Sequence, residues 1–285
     1  MVYFKCIGGA ENNQNVSMDE IPFYDDLKLV SFDDHEWQDF GVTLPQKNSD
    51  LTSVVYNNEI HLLGGTDEPF FDTHYVYNGT SWSLKTTLPQ GIANATSVVY
   101  NNEIHLLGGD CSSCQLNTHY VYNGTSWSLK TTLPQRITNA TSVIYNNEIH
   151  LLGGNDENSR LDTHYVYNGV TWSLKTTLPQ KISYATSVVY NNEIHLLGGT
   201  DGSSLDTHYV YNGTSWSLKT TLPKRIDSAT SVVYNGEIHL LGGVDGSSRS
   251  NTHYVYNGTS WSLKTTLPQG IDSATSVVYN NEIHL

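Results

Sequence analysis

Histidine is the residue whose number and spacing most invite chemistry in this chain. His61, His105, His150, His195, His239 and His284 form one series, and His74, His119, His164, His208 and His253 a second. Imidazole is the commonest metal ligand. Recurrence at a fixed interval argues for another role. Equivalent side chains of successive copies lie too far apart for one ion to bridge, and a pair within one copy still needs further ligands. A histidine present in every copy reads as a structural hydrogen bond, so neither metal nor cofactor is expected.

Carboxylates and thiols follow the same logic. Asp67, Asp156, Asp201 and Asp245 come after a Gly-Gly pair at one offset, and Asp72, Asp162 and Asp206 close the same segments. The spacing is not that of an EF-hand loop, whereas capping of an Asx turn requires nothing more. Cys111-Ser-Ser-Cys114 is a lone C-x-x-C; zinc would want a second pair, and Cys6 lies in another copy, so the motif reads as a local oddity. Gly-X-Ser-X-Gly, P-loop and His-Glu-X-X-His motifs are absent from the sequence. The expectation is a protein that is not an enzyme.

The elements that position these residues are repeats. The phrase Ala-Thr-Ser-Val-Val-Tyr-Asn-Asn-Glu-Ile-His-Leu-Leu-Gly-Gly stands at 95–109 and returns nearly unchanged at 140–154, 185–199 and 229–243. A related copy covers 52–65, and another begins at Ala274. Between copies runs Thr-His-Tyr-Val-Tyr-Asn-Gly-Thr-Ser-Trp-Ser-Leu-Lys-Thr-Thr-Leu-Pro. A period of this length marks stacked supersecondary units.

Each unit divides into four strands. Thr96–Tyr100 is rich in β-branched residues, and Asn101-Asn102 is the signature of a type I′ hairpin turn. Glu103–Leu107 follows and stops at Gly108-Gly109. The third strand covers 118–122, the Asn123-Gly124 turn comes next, and the fourth covers 127–130. Pro134 then closes the unit, since it cannot donate to a ladder. His105 and Leu107 share one side of the second strand, Ile104 and Leu106 the other, as a sheet buried on both faces requires. Four antiparallel strands per stacked unit make a β-propeller.

The Gly-Gly pair, the Tyr before the turn and the Trp after it resemble the kelch repeat. The resemblance spans essentially the whole chain and implies an all-β propeller with binding loops. Trp-Asp repeats would show Gly-His and Trp-Asp instead. Two departures stand out: the turn between Tyr122 and Trp127 is short, and Ala-Thr-Ser replaces an Arg common early in the first strand of kelch repeats. Peptide-binding roles of that Arg therefore do not carry over. Copper oxidases of kelch type need an assembled Tyr, His and Cys site, and no such constellation shows.

Counting Trp37, Trp82, Trp127, Trp172, Trp216 and Trp261 predicts six blades in one domain over 1–285. Full blades are expected at about 51–88, 95–133, 140–178, 185–222 and 229–267, with a seam blade formed by 1–45 and 271–285. Strands from both ends would share that blade and close the ring. Both 3–7 and 282–285 offer its second strand. Competition at the seam is the expectation, with deletion of 282–285 leaving thermal stability nearly unchanged.

The formal charge of −14 disfavours a nucleic-acid partner, which would need a basic face. No run is long or apolar enough for a membrane helix. The N-terminus lacks the layout of a signal peptide, so a cytoplasmic protein is expected, and a monomeric one. Asn78, Asn123, Asn212 and Asn257 match the glycosylation sequon, yet all four sit in Asn-Gly-Thr-Ser turns that a hairpin needs anyway.

The copies differ in two places, after Gly-Gly and after Leu-Pro, and strand direction puts both at one end of each blade. One face is therefore varied and the other monotonous, and loops on a rigid scaffold are where binding usually resides. The leading expectation is a protein or peptide ligand contacted by Phe70, Phe71, Arg136, Arg160, Lys181, Tyr184, Arg225 and Arg249. Alternatives are a lectin-like propeller binding glycans, an enzyme in the style of kelch-like sugar epimerases, and a recently amplified or engineered scaffold with no evolved ligand.

Overall fold

Each repeat opens on a hairpin whose turn sets its register. Thr96–Tyr100 pairs antiparallel with Glu103–Leu107, with Val98 opposite His105. Asn101 and Asn102 have φ of 49° and 58°, the left-handed conformations that a type I′ turn needs and asparagine tolerates. The third strand, His119–Tyr122, pairs with the second, and the fourth, Trp127–Leu129, with the third. Asn123 Oδ1 holds the last turn by accepting from the Thr125 amide at 2.9 Å, the Thr125 hydroxyl at 2.8 Å and the Ser126 amide at 3.0 Å. The sequon asparagines thus serve as Asx turns.

The computed structural model describes residues 3–4, 29–32, 37–39 and 41–285. Expectations that concern Cys6 and the remainder of 3–7 beyond Tyr3–Phe4 lie outside the described residues. The chain is an all-β propeller of four-stranded antiparallel blades, and five such sheets are present among the described residues rather than the expected six. The tryptophan count overshoots because the described strands around Trp37 do not make a four-stranded antiparallel sheet. Its described strands form a three-stranded sheet in which Tyr3–Phe4 runs parallel to Leu29–Phe32, beside Trp37–Asp39. Val277–Tyr279 and Glu282–His284 form an antiparallel hairpin.

The hydrophobic core lies between blades, not inside them. Val54, Tyr56, Leu63 and Ile92 of the first blade pack on Ile104, Leu106 and Tyr122 of the second, and later neighbours repeat the pattern. The terminal hairpin bridges the first and fifth blades. Tyr279 packs with Leu51, Ile60 and Tyr77, while Ile283 and Leu285 pack with Val232, Tyr234 and Leu241. Ile283 and Leu285 are fully buried, so 282–285 is an integral part of the core. That overturns the expectation that its removal would be tolerated.

Hydroxyl pairs join the innermost strands around the channel. Thr52–Ser97, Thr96–Ser142, Thr141–Ser187, Thr186–Ser231 and Thr230–Ser276 each meet at 2.7 Å, and Ser53 meets Thr275 at 2.6 Å. Gly108 fixes the exit from the second strand. Its φ is +63°, and a Cβ there would strike the Ile137 carbonyl.

Candidate functional site

The two histidine series meet inside each blade. His61–His74, His105–His119, His150–His164, His195–His208 and His239–His253 pair Nδ1 to Nε2 at 2.7–2.8 Å. The partners sit diagonally across the ladder, since His150 faces Val166 and His164 faces Leu152. Donor geometry sets the tautomer in the third blade. Trp216 of the next blade donates from Nε1 to His164 Nδ1 at 3.3 Å, so His164 carries its proton on Nε2 and donates to His150 Nδ1. The first ring's own proton sits on Nε2, which in His61 donates to the Tyr56 carbonyl at 3.2 Å. Burial holds second-strand imidazoles such as His61 and His150 down to about 4. Burial and then the neighbouring ring hold third-strand ones such as His74 and His164 to about 3. These are neutral links between strands and blades.

Two of the aspartates cap turns as their spacing suggested: Asp156 Oδ1 accepts from the Asn158 and Ser159 amides at 2.8 Å and Asp201 Oδ1 from the Ser203 amide at 3.3 Å, whereas Asp245 pairs with Lys224. Cys111 and Cys114 face each other across the Asp110–Cys111 and Cys114–Gln115 hairpin and form a disulfide. The C-x-x-C is thus a covalent clasp on a variable loop.

Both variable loop sets lie on one face and interlock. Ala93 bridges Asp110, Thr138 bridges Asn155, and Asp227 bridges Val244, each linking a loop after Leu-Pro to the loop after the next Gly-Gly. Of the predicted contacts, Arg136 and Arg249 form ion pairs with Glu157 and Asp272. Lys181 and Arg225 are exposed, while Phe70, Phe71 and Arg160 are half-buried. Phe71 is held by its backbone, its amide donating to Gly65 O at 2.8 Å and its carbonyl accepting from Ile92 N at 3.1 Å.

Tyr184 stands apart from the other seven, at the mouth of the central channel. A cavity of about 120 Å³ there is lined by Asp50, Asn94, Asn139, Tyr184, Ser228 and Ser273 with their following residues. All six have positive φ, between 50° and 56°. The amides of Asn94, Asn139, Tyr184, Ser228 and Ser273 each donate to the carbonyl of the preceding member at 2.8–3.0 Å. The result is a backbone collar with one side chain per repeat. Burial first, then the carboxylates of Asp50, Asp110 and Asp227, push the Tyr184 phenol up, with Arg160 opposing. The sequence reading missed the other five members. Their signal was the last position of each loop, which holds Asp, Asn or Ser, types that tolerate left-handed backbone.

The fold and this ringed mouth define a β-propeller. The structure of YjhT is similar, with a TM-score of 0.75 and 14% identity over 84% of this chain and 90% of that one, a likeness of fold alone. No family model matches the sequence. No curated protein matches it either.

Proposed function

We propose that the protein is a non-catalytic propeller of kelch type that binds a protein or peptide on the face carrying its varied loops. The observation that carries this reading is the distribution of difference. The hairpins, histidine pairs and Asx turns are nearly identical from blade to blade, whereas the interlocked loops around the channel mouth each differ. A rigid scaffold with varied loops at one end is the arrangement of a binding module. Combined alanine replacement of Phe70, Phe71, Arg136, Arg160, Lys181, Tyr184, Arg225 and Arg249 is expected to abolish capture of partners in pulldowns while leaving thermal unfolding unchanged. Undiminished capture would count against this face.

A further inference from the structure

Resting on that reading, we propose that the channel mouth is a pocket for one cationic side chain of the bound peptide, a lysine ammonium or an arginine guanidinium. The near-identity of the repeats isolates what is particular about the mouth. Its six collar positions hold one carboxylate, one phenol, two amides and two hydroxyls, with neither a cation nor an aliphatic side chain among them. At about 30 Å³ per water, the cavity of about 120 Å³ holds a few waters or one side-chain head.

Outside the mouth, Glu157, Asp245 and Asp272 are paired with Arg136, Lys224 and Arg249. At the mouth, Asp50 accepts from the Ser49 hydroxyl at 2.9 Å, and Asp110 accepts from Asn94 Nδ2 at 3.0 Å and the Thr138 hydroxyl at 2.7 Å. Asp227 accepts from the hydroxyls of Ser204 at 2.6 Å and Ser228 at 2.9 Å. Among the described residues none of these three carboxylates forms a salt bridge. Three carboxylates held by hydroxyl and amide donors therefore stand where the cavity opens, with the Arg160 guanidinium opposing them at Tyr184. Tyr184 adds an aromatic face, the surface on which ammonium and guanidinium groups rest. It does so with φ of 54°, a strained backbone for a bulky residue where its siblings use Asn, Asp or Ser.

The test is titration of the intact protein with Nα-acetyl-arginine amide and Nα-acetyl-lysine amide, with Nα-acetyl-glutamine amide as neutral control. The readout is the amide NMR shifts of Asn94, Asn139, Tyr184 and Ser228. Saturable binding of the cationic amides is expected, about tenfold tighter than the neutral one and weakened by salt. Asp50→Asn keeps a residue suited to positive φ and should weaken binding about tenfold, whereas Glu148→Gln, the same charge change by the opposite turns, should not. Tyr184→Asn, which also suits the backbone, should weaken binding severalfold. Equal binding of the glutamine amide, or an Asp50→Asn protein that binds as tightly as the parent, would overturn the proposal. Absent cation binding beside intact peptide capture that the loop alanines abolish would sink the pocket and leave the face standing.

Discussion

Mild acid should unfold this protein cooperatively, because its folded state holds ten paired histidines neutral. The second-strand members, His61, His105, His150, His195 and His239, are lowered to about 4. Their partners, His74, His119, His164, His208 and His253, are lowered to about 3. In the unfolded chain all ten titrate near 6.5. The folded values lie below the unfolded ones, so the stabilisation is complete above about pH 6.5 and is lost as pH falls toward 4. One unit below 6.5, each such histidine costs the fold about 1.4 kcal/mol; one per pair gives about 7 kcal/mol and all ten about 14 kcal/mol. Domain stabilities are about 5–15 kcal/mol. The unfolding midpoint should therefore lie between about pH 5 and pH 6, with uptake of more than about five protons. Urea denaturation followed by tryptophan fluorescence at stepped pH measures this. A stability that stays flat from pH 7 to about pH 4 would refute the reasoning, because it would mean that the imidazoles are not held neutral by the fold.

Two further perturbations probe the seam and the mouth. Ile283→Ala empties a fully buried site between the terminal hairpin and the fifth blade and should cost about 2–5 kcal/mol in chemical denaturation; a loss below about 0.5 kcal/mol would mean that the hairpin frays. Tyr184→Asn should raise stability by about 1 kcal/mol by relieving left-handed strain, even as it weakens cation binding; a destabilised variant would show that the tyrosine is held there by packing.

The blade was legible because each of its devices is local. Asn101-Asn102 announces its turn, Gly108-Gly109 its exit, and the run from Glu103 to Leu107 its burial on both faces. The role of the histidines as hydrogen-bonding residues was readable from their recurrence. Their pairing was not, because His150 and His164 meet diagonally, and only the register of three strands shows that. The blade number went astray where locality fails. Trp37 carries the fourth-strand signature, but beside it Tyr3–Phe4 pairs parallel with Leu29–Phe32, which no local motif announces. Burial of Ile283 and Leu285 escaped notice for the same reason. At the mouth only Tyr184 stood among the expected contacts, whereas Asp50, Asn94 and Asn139 look like ordinary turn residues until the collar brings them round one cavity.

Function on the varied face is the central claim, and a footprint tests it most directly. A peptide enriched from a displayed random library on the intact protein can be located by hydrogen exchange. Protection should fall on the loops at 90–94, 135–139, 180–184 and 224–228 and on the amides of Asn94, Asn139, Tyr184 and Ser228. Protection confined to the Asn-Asn and Asn-Gly-Thr-Ser turns at the opposite end, with the collar exchanging as in the free protein, would contradict it.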